Sequence, residues 1–411
     1  MILLSDVAPR GLPKTWKSKP FWNLFRRVKR TGFQDQELLS VYRDYGVIPK
    51  TSRDDNHNKE SEDLSKYQLV KEGDLVTNKM KAWQGSIAVS RYHGIVSPAY
   101  YVYESLSKEC DQYLHYLLRS KPYINLYKRI SNGVRVNQWD LDHEALRTIP
   151  ILLPDIAEQK DISEFLDYET DRIDALIEKK KKLVEKIAPR IEVLIDVARK
   201  QSNWKRFGYC AQLKLRPISP EEGKVYTPLG LYNRGRGFFK KPLTEFDELG
   251  DSSFFVVKKN DLVFSGQFAW EGAVGLISDN EHESIVSHRY PVYSGLKGIN
   301  NSYLYAYFRS NHGQFLMENC SRGAAGRNRP LNTNILEKEK IPVPSSEMQT
   351  QVAELVKFEM DLKDKIVPSI NLLSEYKSAL ITAAVTGQIN IKKKKFNIHN
   401  NDVTRPTNLR F

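Results

Sequence analysis

The sequence is poor in cysteine and has no long apolar run. Its 411 residues include three scattered cysteines, Cys110, Cys210 and Cys320. Neither a Cys-x-x-Cys pair nor a His/Cys cluster is present, so the sequence predicts neither a disulfide framework nor a zinc site. No run approaches about 18 apolar residues, and the N-terminus has no apolar stretch of signal-peptide length. We therefore expect a cytoplasmic protein that does not interact with membranes.

Motifs that bind nucleotides or supply catalytic groups are also missing. No G-x-x-x-x-G-K-[ST] loop occurs, and Gly235-Arg-Gly237 lacks the third glycine of a dinucleotide site. The Asp-Pro-Pro-Tyr or Asn-Pro-Pro-Tyr tetrapeptide of adenine methyltransferases is absent, and the eight histidines form no metal-ligand spacing. These absences predict that the chain itself is not an enzyme, with no catalytic residue, no metal and no cofactor.

Positive charge is abundant but unevenly distributed. The formal net charge is +13. The excess of Lys and Arg lies in residues 1–153, 201–344 and 389–411, whereas 154–200 and 345–388 are slightly acidic. Such a distribution is compatible with nucleic-acid binding by the large basic regions, although charge alone is weak evidence.

One region of the chain occurs twice. Residues 69–76, LVKEGDLV, return as residues 256–263, VVKKNDLV. Further along, residues 112–120, QYLHYLLRS, match residues 302–310, SYLYAYFRS. Solenoid repeats span only about 20–50 residues, so a period this long indicates a duplicated domain.

Each copy is followed by a segment with helical periodicity. Residues 155–199 contain no glycine, and their apolar residues are spaced by three, four and seven; residues 346–386 repeat this pattern. We predict an α+β fold of two homologous domains, each followed by a long α-helix, with the helices packing as an antiparallel coiled coil of pseudo-two-fold symmetry. The alternative is that each helix packs on its own domain. The predicted segments are a first domain (1–153), a central spacer helix (154–200), a second domain (201–344), a C-terminal spacer helix (345–388) and a basic, flexible tail (389–411).

The ends of these helices carry capping signals. Asp155 with Glu158 and Ser346 with Gln349 have the spacing of capping boxes. Pro189 is predicted to kink or interrupt the first helix in the preceding turn. About 34 helical residues before it would extend about 50 Å. Because a turn of B-DNA is about 34 Å, the helix pair could hold two domains about one DNA turn apart.

Basic, amide and glycine residues cluster in matching turns of the two copies. Residues 78–85 correspond to 265–272, and residues 128–138 correspond to 321–329. Arg and Asn or Gln are the side chains that read guanine and adenine, whereas Lys and backbone N–H groups suit phosphates. The candidate DNA-binding residues are Lys79, Lys81, Gln84, Lys128, Arg129, Asn132, Arg135, Asn137, Gln138, Arg234, Arg236, Gln267, Arg322, Arg327, Asn328 and Arg329.

The two copies keep their apolar framework but differ at these candidate positions. Gln84, for example, corresponds to Glu271. A shared scaffold with different polar side chains would recognise two half-sites of different sequence. Trp83 and Trp270 occupy equivalent positions in the turns, and we predict that both are core residues.

Segments along nearly the whole chain resemble the DNA-specificity subunit of type I restriction–modification systems. They are LSVYRDYGVIP (39–49), NKMKAWQG (78–85) and GIVSPAY (94–100) in the first domain, ILLPDIAEQ (151–159) and FLDYETDRID (165–174) in the central helix, and LITAAVTG (380–387) in the C-terminal helix. The resemblance ends at about residue 390. It also departs at residues 345–349, where a proline-rich Glu-Gln segment is common.

This resemblance implies a non-catalytic subunit that binds double-stranded DNA. Two target recognition domains would each read half of a bipartite, asymmetric site. The helix pair would set the gap between the halves and dock two modification (methyltransferase) subunits, which carry S-adenosylmethionine. Restriction subunits would add translocation and cleavage that depend on ATP and Mg.

Two other functions are compatible with the residues alone. The helices could form a coiled-coil scaffold that presents two protein-binding domains, and such a protein would not protect DNA. A cryptic nuclease or methyltransferase would show activity as the purified chain, which the missing motifs do not favour.

Overall fold

The computed structural model describes residues 2–43, 45–53, 63–135, 138–218, 223–250, 252–321, 323 and 329–391. Residues 134, 135 and 138 are described by their backbone alone. Most of the predicted basic tail, from 392 onward, lies outside the described residues. The described residues form two compact units: the first contains those through Ile177 and those from Asn371 onward, and the second contains Glu178–Ile370.

The first repeat consists of short strands and short helices. Its elements are β1 (Lys17–Pro20), β2 (Phe25–Val28), β3 (Leu39–Tyr42), β4 (Gly46–Pro49), β5 (Gln68–Val70), β6 (Leu75–Asn78), β7 (Ile87–Val89), β8 (Gly94–Val96), β9 (Tyr100–Ser105), α1 (Asp111–Leu118), α2 (Lys121–Arg129), β10 (Ser131–Arg135), β11 (Gln138–Leu141), α3 (His143–Arg147) and β12 (Pro150–Leu153). Short 3-10 helices lie at Leu4–Asp6, Phe21–Asn23, Lys50–Ser52 and Ala82–Gln84.

An antiparallel sheet with the order β2-β9-β6-β7 forms the centre of this repeat. Its central strand β6 is buried on both faces because successive side chains of a strand point to opposite sides. Leu75 packs in the core with Tyr113, whereas Val76 packs in a separate cluster with Val102. Strand β1 pairs with β12, so the start and the end of the repeat are joined.

The central helical segment is divided where the sequence predicts a break. Helix α4 is Ile156–Glu185, and α5 is Ile187–Lys200. Pro189 has no N–H for the carbonyl of Glu185, and its ring crowds that carbonyl. The break at Lys186, in the turn before Pro189, confirms the prediction.

The second repeat has the same sheet as the first. Its elements are β13 (Asn203–Arg206), β14 (Ala211–Leu213), β15 (Val225–Tyr226), β16 (Leu229–Leu231), β17 (Phe238–Lys240), β18 (Thr244–Glu245), β19 (Phe254–Val256), β20 (Leu262–Phe264), β21 (Val274–Leu276), β22 (Ile285–Ser287), β23 (Val292–Gly295), α6 (Asn301–Arg309), α7 (Asn311–Asn319), α8 (Thr333–Leu336) and β24 (Lys340–Val343), with 3-10 helices at Phe207–Tyr209, Phe246–Leu249 and Ala269–Glu271. The sheet order β14-β23-β20-β21 and the β13–β24 pair match the first repeat, which confirms the predicted α+β duplication. The β15–β18 pair lies in the segment that connects β14 to β19.

Helix α9, Ser346–Val385, follows the second repeat and continues through Pro368. Its cap differs from the prediction by one residue. Ser345, rather than Ser346, accepts the N–H of Met348 on its Oγ at 3.3 Å. Ser346 is already the first helical residue, so its hydroxyl cannot cap the helix from outside. The cap predicted for α4 is confirmed, since Asp155 Oδ1 accepts the N–H of Glu158 at 2.8 Å.

A buried glutamine joins α4 to the first repeat. Gln159 is fully buried, and its Nε2 donates to Pro154 O at 3.0 Å and to Glu109 Oε2 at 2.7 Å. Its Oε1 accepts the N–H of Cys110, just before α1, at 2.9 Å. The amide thus satisfies polar groups at both the start of α4 and the start of α1.

The second repeat makes the same contact at the same relative position. Gln349 of α9 is 4% exposed, and its Nε2 donates to Pro344 O at 3.1 Å and to Gly298 O at 3.2 Å. Its Oε1 accepts the N–H of Asn300, just before α6, at 2.8 Å. Gln349 therefore joins the start of α9 to the start of α6, although the sequence predicted that it belongs to a capping box.

Both long helical segments contribute to the core of each unit. In the first unit, Lys377 Nζ of α9 lies 2.6 Å from Asp174 Oδ2 of α4. The apolar residues that share this core are Ile162, Phe165, Leu166 and Ile173 of α4 and Leu380, Ala384 and Val385 of α9. In the second unit, the corresponding set is Ile187, Ile191 and Ile195 of α5 and Val352 and Val356 of α9. The coiled coil itself stays a prediction.

A buried ion pair joins α6 to α9 in the second unit. The guanidinium of Arg309 donates from Nη1 to Glu359 Oε2 at 2.7 Å and from Nη2 to Oε1 at 3.0 Å. Lys363 Nζ lies 2.7 Å from the same carboxylate, which is 2% exposed. Desolvation by burial raises the pKa of Glu359, but the hydrogen bonds and charges of Arg309 and Lys363 outweigh it and lower the pKa to about 2.

Replacing Gln349 with leucine should destabilise the second unit. Asn300 N–H and the carbonyls of Pro344 and Gly298 would lose their partner, and each unpaired buried group costs about 1–3 kcal/mol. We expect the free energy of unfolding to fall by about 3 kcal/mol, as measured by hydrogen exchange of α6. Gln351→Leu, at an exposed neighbour on α9, is the matched control. Equal protection in the two variants would contradict this role for Gln349.

Glu359→Gln should leave the Arg309 charge without its partner and lower the free energy of unfolding by about 3 kcal/mol at pH 7. The ordinary pKa of Glu359 is 4.5 and the folded value about 2, so its contribution is complete above about pH 5 and declines as the pH falls from 4.5 to 2. The difference from wild type should therefore shrink toward pH 2 in urea titrations. Glu169→Gln is the control, because Glu169 holds the equivalent position on α4 but pairs with Arg172 at 3.6 Å. A difference independent of pH would refute the ion-pair account.

Candidate nucleic-acid interface

Each repeat presents a short 3-10 turn after the central strand of its sheet, β6 or β20. Ala82 and Ala269 anchor the two turns, since both are fully buried. The turns end at Gly85 with φ 95° and at Gly272 with φ 72°, a left-handed conformation that strains residues with a Cβ. The sequence thus folds the same way locally in both copies and directs the intervening side chains outward.

Trp83 and Trp270 lie in these turns and are only partly buried, and neither belongs to a core cluster, so the prediction that they are core residues is wrong. The indole N–H of Trp83 donates to Met80 O at 3.0 Å, and that of Trp270 donates to Gln267 O at 3.1 Å. Because a carbonyl of the same turn satisfies each indole, the ring can remain at the surface. The small alanine beside it fills the crowded interior position instead.

Each tryptophan contacts the segment that follows the two short helices of its repeat, α1 and α2 in the first repeat and α6 and α7 in the second. The ring centroids of Trp83 and Trp139 are 4.9 Å apart, and the Arg329 guanidinium lies 5.0 Å from the Trp270 ring centroid. The structure therefore brings together, in both copies, the two segments that the sequence marked as candidates. Trp139 was not predicted.

The turn of the first repeat carries Lys79, Lys81 and Gln84. Lys81 and Gln84 are exposed, whereas Lys79 Nζ lies 3.5 Å from Asp140 Oδ2 on β11. The N–H of Leu141 donates to Lys79 O at 2.9 Å, so the β10–β11 hairpin is fixed beside the turn. The ammonium group of Lys81 and the amide of Gln84 lie at the surface, where a large polar ligand can reach them.

The β10–β11 hairpin carries further predicted residues. Asn132 is exposed and lies opposite Asp140 in the strand register. Arg135 and Gln138 are paired at the tip of the hairpin through their backbones. Asn137 lies outside the described residues. Among these predicted residues, Asn132 is the one whose side chain the structure describes, and it lies at the surface.

Lys128 and Arg129 lie at the end of α2. Lys128 is exposed. Arg129 donates from Nη1 to Asp6 Oδ1 at 2.8 Å and from Nη2 to Oδ2 at 2.7 Å. These hydrogen bonds, with one from the Leu3 N–H, lower the pKa of Asp6 to about 2. Arg129 therefore has a structural partner, which sequence spacing could not reveal because Asp6 is distant along the chain.

Arg234 and Arg236 lie between β16 and β17 and are exposed. The N–H of Arg234 donates to Glu271 O at 2.9 Å, so this loop is fixed to the 3-10 turn. Arg234 has φ 58°, and Arg236 lies 5.0 Å from the ring centroid of Tyr232 and donates from Nε to Asn233 O at 3.1 Å. The structure thus places both arginines beside the turn of the second repeat.

Gln267 and Arg329 also meet at this turn. Gln267 is exposed, and the adjacent Gly266 O accepts the N–H of Leu331 at 2.8 Å, which holds the segment containing Arg329. Arg329 Nη1 lies 3.7 Å from Glu318 Oε1, a weak exposed contact. The predicted residues Arg322, Arg327 and Asn328 lie outside the described residues.

Two further arginines near the turns were missed by the sequence analysis. Arg43 follows β3, and its carbonyl accepts a hydrogen bond from Arg119 Nη2 at 2.6 Å. Arg289 follows β22 and is exposed. The corresponding segment 96–100 of the first repeat contains no basic residue, so comparison of the two copies gave no signal for Arg289.

No helix in the described parts of the chain is long and apolar enough to cross a membrane. Within the same residues, no group of three His, Cys, Asp or Glu side chains could hold a metal ion.

Comparison with solved structures gives three similar chains. A chain of a structure described as the basis of complex assembly and conformational transition of the type I R-M system matches with a TM-score of 0.58 and 13% identity, covering 92% of this chain and 100% of that chain. The S subunit from M. genitalium has a TM-score of 0.48 at 13% identity, with 92% and 98% covered. The HsdS subunit from Thermoanaerobacter tengcongensis has 0.42 at 14%, with 93% and 99% covered. The first of these matches shows a shared fold.

The sequence itself matches a family model in both repeats. The model, described as type I restriction modification DNA specificity domain, matches residues 13–186 and 225–366. The matched residues are well over half of the chain and include both 3-10 turns, all of α4 and the first part of α9. The chain belongs to the type I restriction modification DNA specificity family.

Proposed function

We propose that this chain is the non-catalytic subunit of a type I restriction–modification complex that reads a bipartite, asymmetric DNA site. The observation that carries the proposal is one scaffold used twice with different surface side chains. Where the first turn has Lys79 and Lys81, the second has Gly266 and Phe268. Side chains that differ on equivalent backbones would select different base pairs, one set in each half-site.

The charge of the two turns supports contact with DNA. In the first repeat, Lys81 and Lys128 are exposed, and in the second repeat Arg234 and Arg236 are exposed. Each such cation placed near a phosphate releases counterions, which is the main source of affinity for DNA. The partly buried rings of Trp83 and Trp270 add rigid, flat surfaces beside these cations.

The long helices would set the gap between the half-sites. The start of α4 shares a core with the end of α9, and α5 shares a core with the start of α9. This order supports an antiparallel coiled coil. Exposed apolar side chains on the helices, such as Val193, Phe358 and Leu372, provide surface for two docked modification subunits. In this proposal those subunits supply S-adenosylmethionine, and restriction subunits supply ATP and Mg chemistry.

Exchanging residues 201–344 for the corresponding domain of another family member should change one half of the methylated site and leave the other half unchanged. Each domain has its own sheet and its own turn, so its base contacts should move with it. Long-read mapping of N6-methyladenine in cells that carry the chimera and its modification subunit is the measurement. A change in both halves would contradict modular reading. Absence of any methylated motif with the wild-type chain would contradict the proposed function.

Lys79→Ala with Lys81→Ala should weaken DNA binding and reduce its salt dependence. The slope of log K against log[salt] falls by about 0.9 for each lost phosphate contact, so a reduction of about 1–2 is expected. Fluorescence anisotropy of a labelled duplex, with the full chain alone and with its modification subunit, measures this slope. Lys17→Ala, at an exposed lysine on β1, is the control. Binding that is insensitive to salt in the wild type would favour a protein-binding scaffold.

A further inference from the structure

Two grooves meet beside the 3-10 turn of the second repeat. Their volumes are about 470 Å³ and about 280 Å³, and Gln267, Arg289 and Tyr290 line both. Lys214 lines the larger groove and Lys241 the smaller, and among the residues that the structure describes neither lining includes an Asp or a Glu. We call this region, defined by those five residues, the basic groove. Its charge suits an anionic ligand.

The backbone places Arg289 at the junction of the two grooves. The N–H of Gly266 donates to Arg289 O at 2.7 Å. A Cβ at position 266 would lie 2.5 Å from that oxygen, so the close approach requires glycine. The N–H of His288 also donates to Ser253 O at 2.8 Å. The loop after β22 is thus fixed directly against the turn that carries Gln267.

The side chains of Arg289 and Gln267 are both exposed. Neither the guanidinium of Arg289 nor the side-chain amide of Gln267 makes a hydrogen bond or an ion pair with the residues that the structure describes. Their donors and acceptors are therefore available to a ligand, in contrast to Arg129, which binds Asp6. Two adjacent polar side chains on fixed backbones, with unused hydrogen-bonding groups, form a recognition surface rather than a structural contact.

We propose that Arg289 and Gln267 are specificity-determining residues that read adjacent base pairs in the major groove of the half-site bound by the second repeat. Arginine donates two hydrogen bonds to guanine O6 and N7, and glutamine pairs with adenine N6 and N7. Lys214 and Lys241 lie on either side and contact the phosphates that position the duplex. This inference rests on the proposed function and adds the residues that read the bases.

The first repeat lacks this pair. Met80 stands where the second repeat has Gln267, and Lys79 stands where it has Gly266. A side chain at position 79 does not permit the close loop approach that glycine permits. Residues 97–99, Ser-Pro-Ala, replace the loop that carries Arg289. The effect of changing Arg289 or Gln267 should consequently be confined to one half-site.

The test uses the full chain with its modification subunit and a library of duplexes in which both half-sites are randomised. Methylated duplexes are then sequenced. Arg289→Ala should reduce discrimination at one base pair of one half-site about tenfold or more, and Gln267→Met should do so at a neighbouring base pair. Arg289→Lys should keep affinity but lower discrimination, because an ammonium lacks the fixed planar pair of N–H donors that a guanidinium offers to guanine. Arg206→Ala, at an exposed arginine on β13 outside the groove, is the matched control.

Each outcome has one interpretation. Unchanged specificity of Arg289→Ala would overturn the proposal, and so would an equal loss for all sequences, since that would indicate a phosphate contact. Retained specificity at the other half-site shows that a variant is folded. If the wild-type complex selects no sequence, the proposed function fails, and this result is distinct from a failure of Arg289 alone.

Discussion

The structure depends on a contact that is made twice, by a buried glutamine in the first turn of each long helical segment. Gln159 and Gln349 use both ends of their amides to join that helix to the start of α1 or α6. An amide has both donors and an acceptor, so it can satisfy backbone groups of two elements at once, which an apolar or charged side chain cannot do. The helices consequently have a fixed direction relative to the repeat from which they emerge.

Other buried side chains of each repeat also join two elements through hydrogen bonds to the backbone. Tyr113 donates its hydroxyl hydrogen to Leu152 O at 2.9 Å, and Tyr303 donates to Pro342 O at 2.8 Å. Buried polar groups with complete hydrogen bonding specify one arrangement of the elements around them. Surface turns attached to such a framework can change side chains without changing backbone position. Duplication of the repeat, followed by divergence of its surface turns, then gives two domains with the same fold and different recognition side chains.

The sequence predicted the features that periodicity and spacing encode: the duplication, the long helices and the break before Pro189. It did not predict contacts between distant residues. Arg129 was a DNA-binding candidate because of its basic segment, and sequence spacing gave no indication that it binds the distant Asp6. Trp83 was expected in the core because an indole is mostly apolar, yet a local carbonyl satisfies its N–H at the surface. Arg289 was missed because its position depends on the close approach that Gly266 permits.

The clearest limit of such prediction is a pair of identical residues that make different contacts. Arg119 and Arg309, and likewise Glu169 and Glu359, occupy equivalent positions, but only Arg309 and Glu359 form the buried pair. In the second repeat the Tyr305 ring lies 4.9 Å from the Arg309 guanidinium, beside Glu359. The first repeat has His115 at the position of Tyr305, and burial, reinforced by the Arg119 charge, lowers the pKa of His115 to about 3, so it is neutral. Arg119 instead donates to backbone carbonyls beside β3, including that of Arg43. The change from His115 to Tyr305 beside the shared arginine thus accompanies a change in what the arginine supports. Arg119 binds a loop, whereas Arg309 binds a helix, and the sequence of the arginine's own segment does not show which contact forms.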